Sequence, residues 1–218
     1  RDAATDPEVC AALADYGNPG WVLDLGMGED TPGRFIAPGM TRFAGQAGFE
    51  TAQRLLFERQ DPAAVPLLKN LVHQSPSALA RLHALWTLHG LDALEKNERL
   101  AALRDASPGV RENAIRLAEP HLQDPDILEA VLPLADAPEA RVRFQAAFTL
   151  GESDDPRAFA ALTRIALRDG ADPWIRSALL SSTAETGGAL LAALLRGGDA
   201  ADTAELIREL SQTIGIRN

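Results

Sequence analysis

Val110-Arg111-Glu112-Asn113-Ala114 returns 32 residues later as Val142-Arg143-Phe144-Gln145-Ala146. Arg81, after Ala80, stands 30 residues before the first phrase. Arg176, after Ile175, stands 33 residues beyond the second. Each of these arginines opens an apolar helical pattern, and a second apolar pattern follows each one. A period of this length is the mark of a stacked array, in which one unit is too small to bury its own apolar face and leans on the next. Here the unit is a pair of helices.

Working outward, the apolar spacing predicts helices near 49–59, 63–74, 77–89, 97–104, 108–119, 126–135, 139–150, 156–168, 173–183, 187–196 and 201–213. The punctuation agrees. Asp-Pro stands at 61–62, 124–125, 155–156 and 172–173, and Ser107-Pro108 has the same form. An aspartate or serine caps the first free N–H groups, and proline tolerates the first helical position because its missing N–H is not needed there. Gly90, Gly151 and Gly170 stand where helices should stop. The 140–150 helix carries two stripes, Val142/Ala146/Leu150 and Phe144/Phe148. Two stripes predict neighbours on two sides, as inside a solenoid.

Ahead of the repeats, residues 1–47 are Gly-rich and irregular. A short helix after Asp6-Pro7 and short strands at Trp21–Leu25 and Arg34–Ile36 are predicted there. The resulting division is 1–47 as an N-terminal segment, 48–200 as repeats and 201–218 as a C-terminal helix. The fold class is all-α: a right-handed α-solenoid of about five helix pairs.

Composition narrows the function classes. The chain has 218 residues, 46% apolar and only 5% aromatic, with a net charge of −10. An acidic chain without a Lys/Arg run repels phosphate backbones, so nucleic acid is not an expected partner. Cys10 is the only cysteine, which excludes an internal disulfide and a C-x-x-C-H haem attachment within these residues. The longest obvious apolar run, Ala189–Leu195, falls well short of the ~18 residues that span a bilayer.

Candidate chemistry is sparse. The histidines, His73, His83, His89 and His121, offer no i, i+4 pair and no His-Glu-x-x-His, whereas a closed zinc site needs four convergent ligands. Ser181 and Ser182 lack a Gly-x-Ser-x-Gly setting, and Gly26-x-Gly28 lacks the third glycine of a dinucleotide loop. Carboxylates such as Glu112, Glu119 and Asp124 are too many for any two to be singled out as acid and base. No catalytic residue, metal or cofactor is assigned. Trp86 reads as core and Trp174, at a helix start, as an exposed aromatic. If the chain binds a partner, the candidate contacts are Arg81, Trp86, Arg111, Arg143, Trp174 and Arg176; aromatic residues and arginine are enriched at interface hot spots.

The signatures of tetratricopeptide and ankyrin repeats are absent. The Val-Arg-x-x-Ala start resembles HEAT repeats instead, in their shorter bacterial form. That resemblance implies a ladder of ion pairs, with an aspartate of a turn meeting an arginine at the start of the next helix: Asp105 with Arg111, and less closely Asp136 with Arg143. Longer phrases carry the resemblance further. They include Thr51-Ala52-Gln53-Arg54-Leu55-Leu56-Phe57-Glu58-Arg59, Ala80-Arg81-Leu82-His83-Ala84-Leu85-Trp86-Thr87-Leu88 and Trp174-Ile175-Arg176-Ser177-Ala178-Leu179-Leu180. Together they resemble the HEAT region of the large secreted haem-binding C-x-x-C-H proteins of planctomycetes and related bacteria, labelled membrane-bound dehydrogenases.

That family places a β-propeller before the repeats and a cytochrome c domain after them. The resemblance covers about residues 48–185, and Leu23–Asp30 with Gly33–Ile36 looks like a degraded final propeller strand pair. It implies a non-enzymatic, extracytoplasmic spacer whose partners are those neighbouring domains. The alternatives are a free-standing cytosolic adaptor and a lyase-type HEAT-like enzyme. With neither propeller nor C-x-x-C-H present, the family's redox and sugar chemistry is not carried over.

Overall fold

The computed structural model describes residues 53–54, 56–60, 62–197 and 200–217. The strands and the short helix expected within 1–47 lie outside them, and the 49–59 helix is described only in part. Beyond these, the described residues form helices joined by short links: α1 (Ala64–Gln74), α2 (Ala78–Gly90), α3 (Lys96–Leu103), α4 (Pro108–Ala118), α5 (Pro125–Val131), α6 (Ala140–Leu150), α7 (Pro156–Asp169), α8 (Pro173–Ser182), α9 (Gly187–Gly197) and α10 (Ala200–Arg217). The described residues contain no strand. The chain is all-α and repeats in pairs, α2/α3, α4/α5, α6/α7 and α8/α9, as expected of a HEAT-like α-solenoid. It divides into two compact units between Val110 and Arg111.

The sequence punctuation accounts for most helix starts. The Asp124 carboxylate accepts from the Asp126 N–H at 3.0 Å, Asp155 from Arg157 at 2.8 Å, and Asp172 from Trp174 and Ile175 at 2.8 and 3.1 Å. In each case a proline fills the first helical position. Two helices end earlier than their apolar pattern suggests. The expected 126–135 helix is α only to Val131 and continues as a 3-10 turn over Leu132–Asp136. Pro133 has no N–H for the α ladder and its ring crowds the carbonyl four residues back, so the chain tightens. Pro120 does the same after α4, where Glu119–His121 is a 3-10 turn.

In the first unit, Leu68 and Leu71 of α1 are sealed with Ala84, Leu85 and Leu88 of α2 and Leu103 of α3. In the second, Val142, Ala146 and Leu150 of α6 are fully buried, as are Ile115, Ile165, Leu179 and Leu190. The two-stripe reading of α6 needs correction. Its second sealed flank is Gln145 and Thr149 beside Ala147, while Phe144 and Phe148 are only half-buried. The two rings meet each other edge to face at 5.1 Å, and no helix covers them completely.

Gly151 does stand at the end of α6, but not as a left-handed cap, since its φ is −66°. It is needed for close approach. A Cβ there would lie 2.8 Å from the Ser182 Cα and 2.3 Å from its Cβ, so α6 and α8 touch nearly backbone to backbone. Gly151→Ala must therefore push α8 outward, and we expect a loss of about 1–3 kcal/mol, read from urea unfolding. Ala in place of an open-sited Gly188, which has nothing within 4 Å, should leave stability unchanged or raise it slightly.

Candidate interaction surface

The four repeat arginines act as clamps. Arg143 is 5% exposed, and its Nε and Nη2 each donate to Asp169 at 2.6 Å. Its Nη1 donates to the carbonyls of Ala137 and Pro138 at 2.7 and 2.8 Å. Arg81 repeats the pattern with Asp105, at 2.6 and 2.7 Å, and with the Ser75 carbonyl at 2.8 Å. Arg111 donates to Glu139 at 2.7 Å. Arg176 reaches back to the Ala171 carbonyl at 2.7 Å and forward to Glu209 of α10 at 3.5 Å, a looser rung.

An ion-pair ladder is thus present, and the rung expected between Asp136 and Arg143 is not the one formed. Asp105 receives Arg81 with both oxygens, and Asp136 goes to Arg164 rather than to Arg143. The reason is geometric. Arg111 meets Glu139, Arg116 meets Gln145, and Glu119 meets Thr149, so both residue numbers rise together and α4 and α6 run parallel. The start of one first helix then lies beside the start of the next. An arginine there touches the link behind its own helix and the acidic link ahead of the following one.

These pairs hold their protons accordingly. Hydrogen bonding to Asp169 raises the Arg143 pKa and hydrogen bonding to Asp105 raises that of Arg81, against the cost of burial. Burial works against the Glu139 charge, but the Arg111 guanidinium outweighs it and holds the carboxyl below its usual range. Asp155 is held low by Arg157, and Glu205 by Arg208. A carboxyl depressed in the folded state stabilises above its unfolded pKa, and that contribution is lost as pH falls through the folded value. The melting temperature should therefore drop as pH falls below about 4, and Glu139→Gln should flatten that drop in calorimetry.

A second polar system crosses the flank of α6. Arg116 Nη2 donates to Gln145 Oε1 at 3.1 Å, Gln145 Nε2 to Thr149 Oγ1 at 3.3 Å, and Thr149 Oγ1 to Glu119 at 2.8 Å. Gln145 is 6% exposed and Thr149 fully buried, so these bonds are strong and leaving one unmade would be costly. Beside this chain lies an open cleft of about 390 Å³. Phe144 and Phe148 line it together with Arg116, Glu119, Glu152 and Ser181. Sequence reading passed over Arg116 and Gln145. The available signal was two polar residues, Gln145 and Thr149, four apart in the otherwise apolar stretch of α6 after Arg143.

The other candidates are scattered. Trp174 is 74% exposed at the start of α8, as expected. Trp86 is only half-buried and packs edge-on against His89 at 5.7 Å. His83 Nδ1 lies 2.7 Å from Gln53 Oε1, and His73 Nε2 lies 3.5 Å from the buried Glu98. Among the described residues, no three His, Cys, Asp or Glu side chains gather as metal ligands. No described helix is long and apolar enough to cross a membrane.

Residues 96–184 match the family model described as HEAT repeats, which takes in the second helix of one pair, two whole pairs and the helix that opens the next. None of the curated proteins and none of the solved structures matches the chain. The parallel first helices, the arginine clamps and this match together make residues 96–184 a HEAT-repeat region.

Proposed function

We propose that the chain is a non-catalytic HEAT-repeat scaffold that holds protein partners or neighbouring domains in fixed positions. The observation that carries this reading is the arginine clamp. Each of Arg81 and Arg143 ties two successive links together through its guanidinium, Arg176 ties the link behind it to α10, and Arg111 ties to the link ahead. Stacking against a neighbour on each side makes such an array stiff within each unit, and stiffness is what a spacer needs. On this reading the four arginines work inside the scaffold. Trp174, with the half-buried Trp86, is the residue offered to a partner.

In its sharper form, the chain is the spacer of a larger extracytoplasmic haem-binding redox protein, between a propeller and a cytochrome c domain. What supports it is the ordered run of phrases from Thr51 to Leu180. The test is the intact mass of the native polypeptide, with the coding sequence read on both sides and a haem stain of the purified protein. Propeller strands upstream and a C-x-x-C-H downstream would establish the spacer. A natural start near Arg1 and a stop after Asn218 would overturn it in favour of a free-standing cytosolic adaptor.

A further inference from the structure

The Phe144/Phe148 cleft lies in the second unit on a face that the helix stacking leaves open. Its floor is two aromatic rings standing edge to face at 5.1 Å. The Glu119 carboxylate is fixed on one side by its bond from Thr149. Glu152 stands exposed at the far end, just beyond α6, and Ser181 lies on the α8 side, in the last turn of that helix. Arg116 and Glu119 likewise fall at the end of α4. The cleft therefore sits at the C-terminal ends of three first helices, where carbonyl dipoles give partial negative charge.

Two carboxylates and these helix ends face one cation, Arg116, and one Nη of that cation is engaged with Gln145. The local field is negative, on a chain of net charge −10. Aromatic faces attract a cation through their quadrupole, and most strongly where water is partly excluded. The rings and the carboxylates thus favour the same occupant.

We propose that this cleft receives an arginine or lysine side chain from an extended basic segment of a partner protein. The cationic head lies against Phe144 or Phe148 and is paired with Glu152 and Glu119, and its aliphatic stem covers the ring surface. This rests on the scaffold reading and names the partner chemistry for one of its surfaces.

The test is a titration of the isotope-labelled full chain with an acetylated, amidated Gly-Arg-Gly-Arg-Gly peptide and its Glu counterpart, followed by amide resonances. The expected result is shifts concentrated at residues 144–152 and 181–182, absent with the Glu peptide. Glu152→Lys should weaken binding by about tenfold or more by placing a like charge against the guest. Its melting should be unchanged, because the Glu152 side chain is exposed. Phe148→Leu, which keeps the volume apolar, should weaken binding several-fold through loss of the ring face. Shifts spread evenly over the acidic surface, or equal affinity for Glu152→Lys, would overturn the proposal. Arginine amide binding as tightly as the peptide would replace the protein segment with a small organic cation. A native partner that still co-purifies with Glu152→Lys would sink the cleft and leave the scaffold standing. Peptide binding with no co-purifying protein would support the cleft and count against the scaffold.

Discussion

Val142→Asp should unfold the second unit at ordinary temperature. Val142 is fully buried one position before the clamp arginine, in the stripe that continues to Ala146 and Leu150. A carboxylate there has no water. Arg143 does not face that stripe, and its guanidinium is already engaged with Asp169, Ala137 and Pro138. An uncompensated buried charge costs about 3–5 kcal/mol, a large share of the ~5–15 kcal/mol that keeps a domain folded. Val142→Ala supplies the comparison: it removes two methyl groups at ~0.8 kcal/mol each and leaves a small cavity, for a loss of about 2 kcal/mol. Urea unfolding followed by helical circular dichroism separates the two. A Val142→Asp protein with the parent midpoint would mean that α6 does not face the core along this stripe.

Arg143→Met is the second large effect expected, at about 3–5 kcal/mol. Methionine fills part of the volume, so the loss is not mainly a cavity. It comes from leaving the mostly buried Asp169 carboxylate and the Ala137 and Pro138 carbonyls without their donors. Pairing the change with Asp169→Leu removes the stranded charge and should recover much of the loss, since apolar replacement of a whole buried pair is often close to neutral. Recovery short of the parent then measures the two carbonyls. The matching change Arg164→Met removes an ion pair with Asp136 in which both side chains are about half exposed, and it should cost well under 1 kcal/mol. If Arg143→Met were equally mild, the clamp would be decoration and the argument for a stiff spacer would lose its basis.

The contrast between these two arginines shows how far a sequence can be read. Arg143 and Arg164 each begin or interrupt an apolar helix and look alike on the line. Of the two, only Arg143 lies where two links converge, because it opens a first helix, whereas Arg164 sits within α7 and meets Asp136 at the surface. The reading located the repeat, the helix pairs and the Asp-Pro starts, since all of these depend on residues within a turn or two of one another. It misdirected the Asp136 pairing and overextended the 126–135 helix, where Pro133 breaks the ladder. It also expected the Phe144/Phe148 stripe to be packed against a neighbour, whereas the two rings are only half-buried. Gly151 was placed at a helix end for the wrong reason: what demands glycine is the Ser182 backbone, 31 positions away.

By itself, then, the sequence determined the period, the all-α class and the capping chemistry. Those are local properties, carried by hydrogen bonds and side-chain spacing within a few residues. The tertiary structure decided which acid each arginine holds, which glycine is sterically required, and that Arg116, Gln145, Thr149 and Glu119 join into one chain beside an aromatic cleft. Apart from the Gln145–Thr149 bond within α6, these contacts span about 24 to 33 residues. Their partners are chosen by how one helix pair stacks on the next, and each unit carries several acids and amides that sequence spacing alone leaves equivalent. Packing removes that equivalence, because burial allows a polar group to remain only where a specific partner meets it.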